Sequence, residues 1–426
     1  MADGEFIMGC LLSEDYEITN RIEEADVLVY NTCAVKTPTE NRMIDILKKV
    51  PKTKKVIVTG CLPLINFGRL KREVRFDGIL GPAPGLKIVE VLRRIAHNER
   101  VIFLTGNVKP GLDLPRCFEN SIISIIPVAY GCLGACSYCC VVFARGRLQS
   151  YSINEIVDRV KSDVASGAKE VWLTSQDMAC YGRDIGVSLA DLLEEICNTE
   201  GTFLARIGMM TPNHTLNILD RLVEAYQHKR IFKFLHLPVQ SGDNEVLRRM
   251  QRFYTIEDFS QIVAVFRKTI PKITIATDVI CGFPGETAEA FEKTMHLIEK
   301  VKPDIVNVSK FFPRPNTPAE RLKPRIPPSK IKERSKIMTE LVRQISSQKN
   351  QAWTNWKGQI LIDEKGKKPD SWIGRNFTYK PIVVKSKESL LGGTVNVHVV
   401  KAFQTYLKAE IAIRARKCNS KGFTIN

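Results

Sequence analysis

The chain has 426 residues, of which 44% are hydrophobic and 26% charged, enough for two or three globular domains with sizeable cores. No run of about 18 apolar residues occurs, and no basic segment precedes an apolar one, so we expect neither a transmembrane helix nor a signal peptide. The net charge of +17 is unevenly spread, because residues 319–426 hold 23 lysines and arginines against 8 acidic residues. This segregation predicts nucleic-acid binding by the last quarter of the chain.

The cysteines bear on the cellular compartment. Twelve cysteines without an export signal indicate a reducing compartment, which we expect to be the cytoplasm. In such a compartment thiols serve metal binding and catalysis more often than disulfides.

Residues 1–115 alternate short apolar runs with amphipathic segments, a pattern typical of an α/β domain with a Rossmann-like parallel sheet. Cys33 and Cys61 end the first two predicted strands. Because ligands gather at the carboxyl ends of parallel strands, we expect these thiols to converge on one site, although either alone would more often be a buried core thiol. The predicted strands cover residues 27–33, 56–61, 76–81 and 101–106.

A close-set cysteine triplet follows the apolar run Ile122–Val128. Cys132, Cys136 and Cys139 have the spacing C-x3-C-x2-C, and three thiolates leave one iron of a [4Fe–4S] cluster open to another ligand. The alternative is a structural zinc site, which usually takes four ligands in paired knuckles, and no second pair lies nearby. Cys140 is expected to point away from Cys139 and to pack in the core.

Residues 118–352 repeat strand–helix units and end in a basic helical linker over residues 319–352. The repeat predicts a partial (β/α)6 barrel, whose active face would lie at the carboxyl ends of the strands. The predicted strands cover residues 122–128, 170–174, 203–209, 234–239, 273–280 and 305–312. The side chains expected at those ends, besides the cysteine triplet, are Ser175, Gln176, Asp177, Gln240, Ser241 and Asp278.

Residues 353–416 contain short strands separated by turns, which predict a small antiparallel β-barrel. Aromatic side chains alternate with lysine and arginine there, a combination that favours single-stranded RNA, although several aromatics must also fill the barrel core. These aromatic residues are Trp372, Phe377, Tyr379, Phe403 and Tyr406.

Several motifs together resemble the radical S-adenosylmethionine (SAM) methylthiotransferases. These are Asn31-Thr-Cys-Ala-Val-Lys, Thr59-Gly-Cys-Leu-Pro, the cysteine triplet and the basic terminal barrel. The archaeal and eukaryotic threonylcarbamoyladenosine tRNA branch is indicated by Phe143-Ala-Arg-Gly, Lys169-Glu-Val-Trp-Leu-Thr-Ser, Tyr181-Gly-Arg-Asp, Phe234-Leu-His-Leu-Pro-Val-Gln-Ser-Gly, Thr277-Asp-Val-Ile-Cys-Gly-Phe-Pro-Gly-Glu and Phe311-Phe-Pro-Arg-Pro-Asn-Thr-Pro. The resemblance implies an N-terminal methylthiotransferase domain, a radical SAM core and a TRAM domain that binds tRNA.

The resemblance also implies an activity, namely transfer of a methylthio group to C2 of N6-threonylcarbamoyladenosine at position 37, in the anticodon loop of tRNA. It implies that Cys132, Cys136 and Cys139 hold a [4Fe–4S] cluster that cleaves SAM to a 5′-deoxyadenosyl radical. Cys33 and Cys61 match two ligands of a second [4Fe–4S] cluster that carries the incoming sulfur. An electron donor and a sulfur source are implied as partners.

Other side chains are candidates for binding SAM or substrate. Arg145 and Arg147 follow the cysteine loop and are expected to meet substrate or the SAM carboxylate, or else to begin a solvated helix. The candidates for binding the methionine, ribose and adenine parts of SAM are Glu170, Ser175, Gln176, Gln240, Ser241 and Asp278.

The N-terminus departs from the family pattern, which has a third cluster cysteine after a first strand. Cys10 is not expected to be that ligand, because Phe6, Ile7, Cys10 and Leu11 have helical spacing and no strand precedes them. The sequence therefore suggests a late start that lacks the first strand and one ligand.

Three alternatives stay open beside the leading interpretation. One is a catalytically impaired tRNA-binding iron–sulfur protein. The second is a methylthiotransferase that acts on isopentenyladenosine or on a ribosomal-protein aspartate. The third is a zinc-dependent RNA-binding module.

Overall fold

The computed structural model describes residues 2–104, 109–118 and 120–412. The chain divides into two units, residues 1–345 and 346–426. The first unit contains both the N-terminal sheet and the barrel strands. Among the described residues, no helix is long and apolar enough to cross a membrane.

The N-terminal part is a four-stranded sheet in the order β1-β2-β3-β4, and all of its neighbouring strands are parallel. The predicted Rossmann-like arrangement is therefore confirmed, although positions 105 and 106 of the fourth predicted strand lie outside the described residues. The strands are β1 (Val27–Thr32), β2 (Lys55–Gly60), β3 (Gly78–Leu80) and β4 (Val101–Phe103). The helices are α1 (Ala2–Leu12), α2 (Thr37–Lys48), α3 (Leu62–Ile65), α4 (Phe67–Glu73) and α5 (Lys87–Ala96).

The barrel part contains the six predicted strands as two three-stranded parallel sheets, β5-β8-β9 and β10-β11-β12. Between the two sheets, Ala205 of β9 forms an isolated bridge with Ile231, which precedes β10, and the Met210 N–H donates to the His236 carbonyl oxygen at 2.9 Å. A short antiparallel pair, β6 and β7, flanks the cysteine loop. The strands are β5 (Ile123–Pro127), β6 (Ala129–Tyr130), β7 (Gln149–Ser150), β8 (Glu170–Thr174), β9 (Leu204–Ile207), β10 (Phe234–His236), β11 (Thr274–Cys281) and β12 (Ile305–Lys310).

Helices cover the outside of the barrel, and their inward side chains join the strands in one large apolar core. Several helices begin at a serine, threonine or aspartate whose side chain accepts a backbone N–H, as at Ser152 and Ser188. The helices are α6 (Val141–Arg145), α7 (Ile153–Ala165), α8 (Leu189–Asn198), α9 (Pro212–Leu216), α10 (Leu219–Gln227), α11 (Asn244–Arg249), α12 (Ile256–Thr269), α13 (Ala288–Val301), α14 (Pro318–Arg321) and α15 (Pro328–Gln351).

A buried ionic network attaches α1 to the barrel. The Arg116 guanidinium pairs with Glu5 of α1 and lies 3.1 Å from Asp163 of α7. Ser124 of β5 donates to the same Asp163 carboxylate. Close contact is also required at Gly9, where a Cβ would lie 2.2 Å from the carbonyl oxygen of Pro115. The N-terminal sheet and the barrel are therefore joined by specific contacts within one unit.

The second unit contains a closed five-stranded barrel in the order β13-β14-β15-β17-β16. The predicted small antiparallel barrel is confirmed, with one parallel contact, between β15 and β17. The reason is geometric, since a closed ring with an odd number of strands cannot alternate direction throughout. The strands are β13 (Lys357–Lys365), β14 (Ser371–Arg375), β15 (Pro381–Lys385), β16 (Thr394–Ala402) and β17 (Leu407–Ile411).

The aromatic side chains of the second unit divide between core and surface. Trp372 lies in the barrel core, and its indole N–H donates to the Ser386 carbonyl oxygen at 3.1 Å. Phe377 is 42% exposed, and the rings of Phe403 and Tyr406 stack with centroids 4.5 Å apart. The expectation that aromatic side chains fill the barrel core is therefore confirmed for Trp372, whereas Phe377 stays at the surface.

Candidate functional site

The loop that carries the cysteine triplet is closed at its base. It leaves β6 at Gly131, whose φ of +78° and close approach to the Arg147 carbonyl oxygen leave no room for a Cβ. The Cys132 N–H donates to the Gly146 carbonyl oxygen at 3.2 Å. At its far side the loop is fixed by Ser137, whose N–H and hydroxyl donate to the carbonyl oxygens of Met250 and Arg249 at 2.9 Å.

Gly134 lies between two sulfurs of the triplet. A Cβ on Gly134 would be 3.2 Å from Cys132 Sγ and 3.6 Å from Cys136 Sγ, so the absence of a side chain leaves a cradle between these thiols. Among the described residues, no three cysteine, histidine or acidic side chains converge closely enough to hold a single metal ion. A four-iron cluster instead takes each thiolate on a separate iron, and the cradle fits such a group.

The three thiols differ in their electrostatic surroundings. Burial raises the pKa of Cys136, and it raises the pKa of Cys139 to about 12. A hydrogen bond from the Cys180 thiol lowers the pKa of Cys132 although burial opposes this. Of the three thiols, Cys132 therefore loses its proton most easily, and the thiolate is the form that binds metals.

Ser175 and Gln176 follow β8 directly, at the carboxyl end of the strand. Within the described chain, the hydroxyl of Ser175 and the side-chain carbonyl oxygen of Gln176 are buried without a hydrogen-bond partner. Buried polar atoms of this kind are rare and indicate a place where a bound molecule completes the hydrogen bonds. The adjacent Asp177 differs, because its carboxylate accepts from the N–H groups of Ala179 and Thr211 at 3.1 and 3.0 Å.

Gln240 and Ser241 lie beyond β10 in a loop that pairs with β11. Gln240 has a φ of +66°, and its N–H donates to the Asp278 carbonyl oxygen at 2.8 Å. The Ser241 hydroxyl lies 3.4 Å from that of Thr294 and accepts from the Asp243 N–H at 3.3 Å. The Ser241 hydroxyl therefore already has hydrogen-bond partners within the protein, unlike the hydroxyl of Ser175.

Asp278 of β11 has its carboxylate between two neighbouring strands. It accepts from Asn307 Nδ2 at 2.7 Å and lies 3.2 Å from His236 Nε2. Burial opposes ionisation, but the hydrogen bond from His236 and its charge, with Asn307 and Lys36, keep the pKa of Asp278 below its ordinary value. Asp278 is thus an anion inside the barrel.

Glu170 is placed apart from the other SAM candidates. It begins β8, whereas Ser175 follows the last residue of that strand, so the two lie at opposite ends. Its buried carboxylate accepts from the indole N–H of Trp172. The structure therefore does not bring Glu170 to the edge that carries the cysteine loop.

Cys33 and Cys61 are neighbours at the carboxyl edge of the N-terminal sheet. The register pairs Thr32 with Gly60, and the Cys61 N–H donates to the Thr32 carbonyl oxygen at 2.9 Å. Gly60 has a φ of +93°, and a Cβ there would lie 2.2 Å from the same oxygen. Glycine is therefore required for the chain to turn and bring Cys61 beside Cys33.

Arg145 joins the two cysteine sites. Its guanidinium pairs with Asp3 of α1, hydrogen-bonds the Cys61 thiol and lies 5.0 Å from the ring of Tyr130, two residues before Cys132. Burial raises the pKa of Cys61, and Arg145 opposes that rise. The solvated helix start suggested by the sequence is therefore wrong for Arg145, whereas Arg147 is exposed.

Further contacts link the Cys33 edge of the sheet to the barrel. The Lys36 ammonium donates to the Ser309 hydroxyl of β12 at 2.7 Å. Arg314 pairs with Glu40 of α2, and both side chains are buried. These contacts place the N-terminal sheet beside the carboxyl end of β12.

Several residues near the triplet were not identified from the sequence, among them Cys180 and Arg252. Both influence the triplet thiols, although they lie 41 and 113 residues beyond Cys139 in the chain. No local signal marks Arg252, because Arg248, Arg249 and Gln251 precede it in a polar stretch. Two other cysteines, Cys10 and Cys140, lie in apolar cores.

Comparison with known families agrees with this arrangement. Residues 126–298 match the radical SAM superfamily, residues 1–81 match the uncharacterized protein family UPF0004, and residues 359–412 match the TRAM domain. The radical SAM match implies a [4Fe–4S] cluster and SAM as cofactors. The fold resembles that of the radical SAM methyltransferase TsrM from Kitasatospora setae, with a TM-score of 0.53 at 17% identity over 74% of this chain and 71% of that chain.

Relatives of known name match over nearly the full length. A protein named probable threonylcarbamoyladenosine tRNA methylthiotransferase from Pyrococcus abyssi is 43% identical over 96% of both chains. The human threonylcarbamoyladenosine tRNA methylthiotransferase is 34% identical over 96% of this chain and 71% of its own length. On identity and coverage of this extent, the chain belongs to the threonylcarbamoyladenosine tRNA methylthiotransferase family.

Proposed function

We propose that this protein transfers a methylthio group to C2 of N6-threonylcarbamoyladenosine at position 37 of tRNA. The observation that carries the proposal is the closed cysteine loop beside the two unpartnered polar side chains of Ser175 and Gln176. The named relatives support the choice of substrate.

The reaction explains why such a site is needed. The C2–H bond of adenine is neither acidic nor nucleophilic, so acid–base groups alone give no way to replace the hydrogen. The cluster, when bound with SAM, supplies one-electron chemistry that removes this hydrogen atom. The protein contributes ligands, orientation and the exclusion of water.

Cys132, Cys136 and Cys139 are the proposed ligands of this cluster. Ser175 and Gln176 are proposed to hydrogen-bond the polar groups of SAM, which would satisfy their buried oxygen atoms. Asp278 offers a half-buried negative charge that can accept a hydrogen bond from a donor of the cofactor or substrate. Gln240 shapes the same end of the barrel through its backbone pairing with β11.

Cys33 and Cys61 are proposed to ligate the second [4Fe–4S] cluster, which would hold the incoming sulfur. Their adjacent strand ends give two thiols on one edge, and Arg145 places a positive charge beside Cys61. A cation in this position stabilises the thiolate form that metal binding requires.

The second unit is proposed to bind the tRNA. Its exposed Phe377 and the Phe403–Tyr406 stack offer faces for bases, and Lys401 lies 5.3 Å from the ring of Phe403. Stacking faces beside lysine fit single-stranded RNA such as an anticodon loop.

The test is an anaerobic incubation of the reconstituted chain with SAM, a reductant, sulfide and threonylcarbamoylated tRNA, followed by nucleoside mass spectrometry. We expect a methylthio product from the wild-type chain and from Cys197→Ala, but none from Cys136→Ala. A parallel reaction with isopentenyladenosine tRNA checks the alternative substrate. If 5′-deoxyadenosine forms without any methylthio nucleoside, the role proposed for the cysteine triplet stands and the sulfur-carrying role proposed for Cys33 and Cys61 is contradicted.

A further inference from the structure

The starting observation is a buried arginine beside the cysteine loop. Arg252 follows α11, its backbone N–H donates to the Leu247 carbonyl oxygen at 2.9 Å, and the residue is 9% exposed. Its guanidinium donates to the hydroxyl of Tyr138 through Nη2 at 2.8 Å and Nε at 3.2 Å. Tyr138 lies between Cys136 and Cys139 in the sequence, so Arg252 is fixed against the loop itself.

Arg252 lacks the carboxylate partner that other buried arginines have. Arg116 pairs with Glu5 and Asp163, and Arg314 pairs with Glu40. In the described part of the chain, no carboxylate lies within ion-pair distance of Arg252. The rings of Tyr138 and Tyr254, 5.7 and 5.9 Å from the guanidinium, offset part of the cost of burying this charge, and an anion bound nearby would offset more of it.

The thiols of the loop are where that anion would appear. The Arg252 guanidinium lies 2.8 Å from the Tyr138 hydroxyl, and Tyr138 is two residues from Cys136 and one from Cys139, so the charge lies beside the loop that carries these thiols. Three thiolates and an iron–sulfur cluster add negative charge at this place, and one more electron increases it. The opposite charge that Arg252 lacks would therefore be present once the site is loaded.

We propose that Arg252 is a positioning residue that compensates the charge of the loaded cysteine triplet and stabilises the reduced cluster. The inference rests on the proposed function in one respect, namely that the triplet holds a cluster. It goes beyond that function by assigning the control of the reduction potential to a residue 113 positions from the last ligand.

A first test compares stability with and without the cluster in a Cys33→Ala, Cys61→Ala background, which isolates the triplet. Replacing Arg252 by methionine removes an uncompensated charge from the empty chain, so its thermal midpoint should rise. The same replacement should reduce the gain in midpoint on reconstitution, since the compensating charge is gone. Arg248→Met, at an exposed position of α11, should leave this gain unchanged.

A second test measures the reduction potential of the triplet cluster by redox titration with EPR detection in the same background. We expect a shift to a more negative potential in Arg252→Met, because a nearby positive charge favours the reduced form. Arg252→Lys keeps the positive charge but changes the shape of the side chain, so its potential should lie closer to that of the background chain than the potential of Arg252→Met does. Arg248→Met should keep the wild-type potential.

The outcomes separate this inference from the proposed function. A background chain that binds no iron would overturn the cluster assignment and, with it, the role of Arg252. The other outcome is that the chain binds iron, but Arg252→Met and Arg248→Met have the same reduction potential and the same gain in thermal midpoint on reconstitution. That outcome would overturn the role of Arg252 and leave the cluster assignment intact.

Discussion

At the residue scale, the guanidinium of Arg145 has two acceptors that differ in kind. Asp3 provides a permanent negative charge, whereas Cys61 provides one only as a thiolate. Hydrogen bonds to charged groups contribute about 1.5–3 kcal/mol, so this contact can influence how firmly a metal group is held. Arg147, two positions along and exposed, is a natural comparison.

We expect Arg145→Gln to lower the iron content of a chain in which the triplet cysteines are replaced by alanine. The loss follows because the Cys61 thiolate loses its neighbouring cation. The measurement is iron and sulfide per chain after anaerobic reconstitution. Arg147→Gln removes the same charge and should keep the iron content of the triplet-to-alanine chain. Equal losses of iron in both variants would contradict a specific role for Arg145 beside Cys61.

The Glu40–Arg314 pair gives a prediction about pH. Burial opposes ionisation of Glu40, but hydrogen bonds from Arg314 and Arg69 outweigh it and hold the pKa below the ordinary value of 4.5. Because the folded-state pKa is depressed, the carboxylate adds stability above about pH 4.5, and this is lost as the pH falls through the folded-state pKa.

Glu40→Gln should therefore lower the free energy of unfolding near neutral pH by about 3–5 kcal/mol, since it leaves Arg314 buried and unpaired. It should also flatten the loss of stability in acid. Urea unfolding of wild type and variant between pH 3 and pH 7 checks both. Glu90→Gln, in an exposed pair with Lys87, should follow the wild-type curve.

The sequence allowed the cysteines to be predicted because their spacing is local. The triplet lies within eight residues, and Cys33 and Cys61 each follow an apolar run. The contacts of Arg252 with Tyr138 and of Arg145 with Asp3 were not predicted, because they join residues far apart in the chain. A single sequence does not indicate which arginine is buried against a distant thiol.

At the element scale, the join between β1 and β2 depends on one glycine. Gly60 has a left-handed φ, and a side chain there would meet the Thr32 backbone. We expect Gly60→Ala to destabilise the chain by at least about 1–2 kcal/mol and to displace Cys61 from Cys33. Thermal unfolding and iron content at the Cys33/Cys61 pair measure the two effects.

The matched control for Gly60→Ala is Gly68→Ala. Gly68 lies in α4 with no atom within 4 Å of an added Cβ. Alanine also favours the helix, so this variant should be as stable as wild type or slightly more stable. Equal destabilisation of both variants would count against a specific requirement at Gly60.

The elements themselves were largely predictable, because each barrel strand is an apolar run bounded by polar residues. The strand predicted over residues 170–174 has the same bounds as β8. The strand predicted over residues 234–239 ends earlier in the structure, at His236, because Pro238 and the left-handed Gln240 follow. The parallel contact of β15 with β17 was not predictable from local pattern. It follows from closing a ring of five strands.

At the scale of the whole molecule, the charge is concentrated toward the C-terminus. Residues 319–426 carry 23 basic and 8 acidic residues, a net of +15 out of the total of +17. Binding through phosphates releases counterions, so affinity for tRNA should fall steeply as salt increases. The slope of log K against log salt measures how many phosphates are contacted.

We expect Lys401→Ala and Lys408→Ala, both exposed in the second unit, each to reduce that slope by about 1. Filter binding or fluorescence anisotropy with tRNA at several salt concentrations provides the measurement. Lys300→Ala makes the same charge change on α13 and should keep the wild-type slope. A uniform change in all three variants would indicate a general charge effect.

The hydrogen bond from Cys61 to Thr32 has a consequence for maturation. It ties the two cysteines to adjacent strands, whose separation is set at about 4.8 Å by backbone pairing. Backbone pairing therefore sets how far apart the backbones of Cys33 and Cys61 lie at this edge of the sheet. We therefore expect a chain produced under iron starvation to keep these two strand ends paired, and protection of the Cys61 amide from hydrogen exchange would measure this.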